Sequence, residues 1–138
     1  MKEKKKYVVP AVLLVTTLVI WGNSMMPPAQ SSQMSGGLTL WLQEVLHLPL
    51  SEHLIRKAGH FCEYALLGAE YALCLEKERQ SGQRIFNCLA LGLMTAVADE
   101  SIQILSGRGP MVADILLDFS GFGCGFMVLL LARRIFRR

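Results

Sequence analysis

The chain has 138 residues, room for one domain. At 52% hydrophobic, 18% charged and a mean hydropathy of +0.38, it is too apolar for an ordinary soluble domain. The net charge of +3 gathers at the ends, in Lys2, Lys4, Lys5, Lys6 and in Arg133, Arg134, Arg137, Arg138. Basic ends around apolar segments are membrane topology signals, and no basic patch interleaves with aromatics, which argues against nucleic acid as a partner.

Residues 7–26 form an apolar block long enough to cross a hydrocarbon core of ~30 Å. The Lys-rich start resembles the n-region of a signal peptide. The segment Pro27-Pro28-Ala29-Gln30-Ser31 is a poor cleavage site, however, so a retained transmembrane helix is expected. Residues 25–37, rich in Pro, Ser, Gln and Gly, predict a loop. Residues 38–48 are apolar around Gln43, Glu44 and His47 but too short to span a bilayer. They predict a short helix lying in the interface, with Trp41 at headgroup depth. Pro49 ends it, and Ser51 supplies an N-cap for the next helix. Three further helical blocks, 52–75, 85–105 and 111–132, each have the length of a membrane crossing. A charged loop, 76–84, and a Gly-rich loop, 106–110, separate them. Cys62, Cys74, Cys88 and Cys124 sit in apolar runs without metal-ligand spacing, which predicts small buried packing residues.

The expected fold is therefore all-α and polytopic, a single membrane domain over residues 1–138. It has four transmembrane helices and an interfacial helix in the first extracytoplasmic loop. With both termini cytoplasmic, only Arg56, Lys57 and Arg108 of the 14 basic residues remain outside, so 11 lie inside. The expected location is the cell membrane.

This topology brings three polar clusters to one depth. Arg56, Lys57, His60, Glu63 and Tyr64 lie in the outer half of the second crossing, and Asp99, Glu100 and Gln103 at the outer end of the third. Asp114 and Asp118 lie at the outer start of the fourth, beneath the loop carrying Arg108. Arg56, His60 and Glu63 fall within a sector of roughly 60° on a helix, and Glu70 lies beside it. Asp99 and Gln103 share a face, as do Asp114 and Asp118, whose face continues as Gly121 and Gly125, a spacing that lets helices approach closely. One ionisable group costs ~2.5–3.5 kcal/mol at the centre of an inserting helix, so a cluster of them points to function, although mutual pairing would also hold a bundle together. His60, Glu63 and Asp99 are the candidates for acid–base chemistry. His60 and Glu63 could join Asp99, Asp114 or Asp118 around a metal, but no second His lies on an adjacent helix. No metal or cofactor is therefore assigned.

The blocks Arg56-Lys57…His60-Phe61…Glu63-Tyr64, Asp99-Glu100…Gln103 and Gly107-Arg108…Asp114…Asp118…Gly121 resemble the VanZ-like family of small bacterial membrane proteins. Ser24 with Pro27 resembles a weaker element of that family. The resemblance implies a multi-pass membrane protein, and its founding member is associated with low-level teicoplanin resistance. It implies no established reaction. The expected function is binding of, or action on, a cell-envelope component such as a lipid-linked precursor or a lipid-anchored glycopeptide. Arg56, Lys57, His60, Glu63, Tyr64, Asp99, Glu100, Gln103, Arg108, Asp114 and Asp118 would form the site. An intramembrane acid–base or metal-assisted enzyme and a structural partner of another membrane protein are the alternatives.

Overall fold

Serine N-caps set the starts of two of the helices. In the computed structural model, residues 2–75, 81–107, 109 and 111–136 are described, with side chains from Tyr7 onward. They hold α1 (Lys2–Ser24), α2 (Pro28–Leu46), α3 (Glu52–Cys74), α4 (Gly82–Leu105) and α5 (Val112–Ile135), and no strand. The Ser51 hydroxyl accepts from the Leu54 N–H at 3.2 Å and so opens α3, as its N-cap position predicts. Ser81 does the same for Arg84 at 3.3 Å and starts α4 before residue 85. At the far end of α5, Arg133 Nη1 donates to the carbonyls of Ala72 (2.6 Å) and Leu75 (3.2 Å), satisfying the open C-terminus of α3.

The segment expected as a loop, 25–37, is mostly helical. It merges with the expected interfacial segment, 38–48, into the single helix α2, 19 residues long. Pro28 favours this outcome, because its fixed φ suits the first turn and its missing N–H would have had no partner there. Ser35 and Thr39 then return their hydroxyls to carbonyls one turn back. The helix stops at His47, whose φ of 52° is left-handed, just before Pro49.

Among the described residues, three helices are long and apolar enough to cross a membrane: Tyr7–Ser24 within α1, Gly82–Leu105 and Val112–Ile135. The 23-residue α3 has the length but carries Arg56, Lys57, Glu63 and Glu70.

Four helices close a ring in the order α1, α3, α5, α4, and α2 lies against α3. Cross-helix contacts give the directions. Asn23 meets Glu63 and Thr16 meets Glu70, so α1 and α3 are antiparallel. Phe61 meets Gly121 and Ala65 meets Gly125, so α3 and α5 are parallel. Ser106 at the end of α4 reaches the Ser24 carbonyl at the end of α1 (3.0 Å), so those two are parallel as well.

The α3–α5 seam is the tightest in the molecule. A Cβ on Gly125 would strike the backbone of Ala65, one on Gly121 the backbone of Phe61, and one on Gly68 the backbone of Phe122. This is the close approach that the Gly121/Gly125 spacing predicts. Phe122 fills the centre: its ring lies against Gly92 of α4, edge-on to Tyr71 at 5.3 Å and stacked with Phe126 at 6.1 Å.

The interior is nearly as polar as it is apolar. Ser24, Thr39, Glu70, Asp99, Glu100, Gln103 and Asp118 are buried beside eight apolar residues. Large apolar side chains such as Val8, Leu14, Val15 and Leu18 stand exposed along α1. A soluble domain reverses this distribution, and a membrane domain does not. The cysteines depart from expectation: Cys62, Cys74 and Cys124 are exposed and Cys88 is half-buried. Apolar surroundings in sequence do not mean burial when the solvent for the outer face is lipid.

Gly125→Leu is expected to destabilise the protein at the upper end of ~1–3 kcal/mol or beyond, because the obstacle is backbone and cannot turn aside. Gly123→Ala meets open space and is expected to leave stability unchanged. Thermal unfolding in detergent and membrane abundance measure both. Thr16→Val is expected to cost ~1–3 kcal/mol by leaving Glu70 without its donor, and Thr16→Val with Glu70→Leu to recover part of the loss, read by a double-mutant cycle.

Candidate functional site

Where α1 and α4 end and α2, α3 and α5 begin, a pocket of about 330 Å³ opens. Its polar lining comes from three helices: Arg56, Lys57 and His60 from α3, Gln103 from α4, and Asp114 and Asp118 from α5. Six of the residues singled out in the sequence thus line one pocket. They converge because the α3–α5 seam brings the first turns of two parallel helices side by side. Gln103, in the last turn of α4, closes the third side.

The ion pair here joins Lys57 Nζ to Asp114 Oδ1 at 2.8 Å, both half-buried. Arg56 directs Nη2 to His53 Nδ1 at 3.4 Å, and Arg108 lies outside the described residues. Deeper in, Asp99 is fully buried and Asp118 is 2% exposed. Gln103 Nε2 donates to Asp99 Oδ2 at 3.3 Å across the i, i+4 step. Glu100 turns to the start of α5, where one carboxylate oxygen accepts from the Met111 N–H. Tyr64 is wholly buried and donates its hydroxyl to the Thr95 carbonyl at 3.3 Å. Tyr64 and Glu100 therefore brace the walls and do not face the pocket.

Glu63 does not line the pocket. Its carboxylate accepts from Asn23 Nδ2 at 2.8 Å, and Glu70 below it accepts from Thr16 Oγ1 at 2.8 Å, both across the α1–α3 seam. Glu63 and Glu70 are one heptad apart on α3, and Thr16 and Asn23 are one heptad apart on α1. The antiparallel packing of α1 on α3 turns this matched spacing into two contacts. His53, which is not among the expected site residues, also lines the pocket. It lies one turn before Arg56 and Lys57 on the same helix face, a signal available from spacing.

His60, Asp99 and Asp118 each offer one nitrogen or oxygen atom within 4.8 Å of the others. Glu63 is not part of this set, because it turns toward Asn23 on α1.

No curated protein and no solved structure matches the chain. The family model VanZ/LLP1 matches residues 9–133, which include every residue of the pocket and of the α1–α3 seam. The chain accordingly belongs to the VanZ/LLP1 family.

Proposed function

We propose that the protein crosses the cell membrane four times, by α1, α3, α4 and α5, with both termini in the cytoplasm. In this reading the pocket faces outward and binds the anionic headgroup of a lipid-linked envelope component. The observation that carries it is the pocket itself: Arg56 and Lys57 stand at the polar end of a bundle whose outer surface is apolar. Cationic side chains attract phosphate, and apolar helix faces accept its acyl or prenyl chains.

The alternating directions of the four ring helices support an even number of crossings. Glu63, Glu70 and Lys57 lower the hydropathy of α3 yet turn inward, toward Asn23, Thr16 and Asp114. By capturing a lipid-linked precursor, or a lipid-anchored glycopeptide that competes for it, such a site would alter sensitivity to glycopeptides.

In a cysteine-free background, single cysteines at positions 38 and 108 are expected to react with a membrane-impermeant maleimide from outside, and one at position 80 only after lysis. Labelling of positions 38 and 108 from inside would reverse the topology. For binding, the probe is a polyprenyl diphosphate titrated into protein reconstituted in nanodiscs of neutral lipid. Arg56→Ala is expected to weaken it by about 10- to 100-fold, the loss of one charge-assisted hydrogen bond at ~1.5–3 kcal/mol. Unaltered affinity, together with unaltered glycopeptide sensitivity in Arg56→Ala and Arg108→Ala cells, would count decisively against the proposal.

A further inference from the structure

We propose that the floor of the pocket is a binding site for one divalent transition-metal ion, held by His60, Asp99 and Asp118. These residues come from three different helices, yet their ligand atoms lie within 4.8 Å of one another. Metal–ligand bonds of ~2.0–2.2 Å set neighbouring ligands roughly 3.0–3.5 Å apart. Rotation about the side-chain torsions of one His and two Asp closes the remaining distance, at most about 1.3–1.8 Å.

Burial supplies an independent observation. Asp118 is 2% exposed, and its Oδ1 has no hydrogen-bond partner among the described residues. Asp99, Asp114, Glu100 and Glu63 all act on it electrostatically. A carboxylate withdrawn from water among other carboxylates is costly, and a multivalent cation offsets that cost at the point where the oxygens converge. Packing alone gives no reason to put Asp118 beside Asp99.

The donor set selects the kind of ion. One imidazole and two carboxylates suit Zn²⁺ or another first-row divalent ion, whereas Ca²⁺ and Mg²⁺ take oxygen-only shells. Three protein ligands leave a coordination position open, and His60 and Asp118 also line the pocket, so that position faces it. Gln103 already orients Asp99 through Oδ2, as an outer-shell residue does for a metal ligand. Phe61 rests on Gly121 at the glycine seam, which holds the neighbouring turns of His60 and Asp118 in register.

If the headgroup reading above holds, the ion also resolves a conflict of charge. Asp114 and Asp118 would repel a phosphate, and a cation between it and the carboxylates bridges the two. Metal binding itself does not depend on that reading.

The test titrates full-length protein, purified in detergent and stripped by a chelator, with Zn²⁺ and then Co²⁺ and no lipid. One ion per chain is expected, with a cobalt spectrum of a nitrogen–oxygen site and no thiolate charge-transfer band. Asp118→Asn, which keeps the side-chain shape, and His60→Gln are each expected to weaken binding beyond the ~10–100-fold typical of outer-shell changes. Gln103→Leu is expected to fall within that range. Absence of binding to the wild type, a thiolate band, or a stoichiometry that falls with His47→Ala and not with His60→Gln overturns the proposal. Because the cobalt spectrum is read on the wild type, a variant that fails to fold does not leave the question open. Polyprenyl diphosphate binding measured in chelator separates the two ideas. Its failure beside intact metal binding removes the headgroup function alone, and the reverse removes the ion alone.

Discussion

The α3–α5 seam is the constraint on which the rest of the molecule depends. Gly68, Gly121 and Gly125 let two parallel helices touch backbone to backbone. In lipid no solvent drives apolar faces together, so such close contact is a principal source of helix association. The seam sets the depth and rotation of α3 against α5. Through it His60 is brought to Asp118 and Lys57 to Asp114. Phe122 extends the same contact to α4 by lying on Gly92, and it anchors the aromatic row along α5.

A second constraint is the treatment of polar groups away from water. Glu63, Glu70 and Glu100 each accept from a donor on another helix or at a helix start, and Asp114 has Lys57. In a medium of low dielectric such bonds are strong, and leaving one unmade is expensive. They tie α1 to α3 and α4 to α5 while the glycine seam ties α3 to α5. Buried carboxylate oxygens with no hydrogen-bond partner among the described residues remain on Glu70, Glu100 and Asp118, and that of Asp118 lies beside His60 at the pocket.

Much of the arrangement was legible in the chain. The i, i+4 relations of Asp99 with Gln103 and of Asp114 with Asp118, and the Gly121/Gly125 spacing, follow from helical geometry, and the structure uses all three. Other features were less accessible. The run 28–37 looked like a loop because Ser, Gln and Gly are frequent in loops, but only Pro27 and Pro28 interrupt the backbone, and Pro28 begins a helix. The cysteines were expected inside because hydropathy cannot distinguish a core from a lipid-facing surface.

By itself the sequence determined an all-α chain, the apolar character of the helices' outer faces, and the end of the bundle at which polar residues gather. Those properties depend on local periodicity and on where charges fall along each helix. Only the tertiary structure decided which polar residues share a space. Rotation about a helix axis sent Glu63 to Asn23 on α1 and turned His60, three residues away, toward Asp99 and Asp118. That rotation is set by contacts at the glycine seam between residues some 60 positions apart, such as Phe61 with Gly121 and Ala65 with Gly125. No local pattern encodes it.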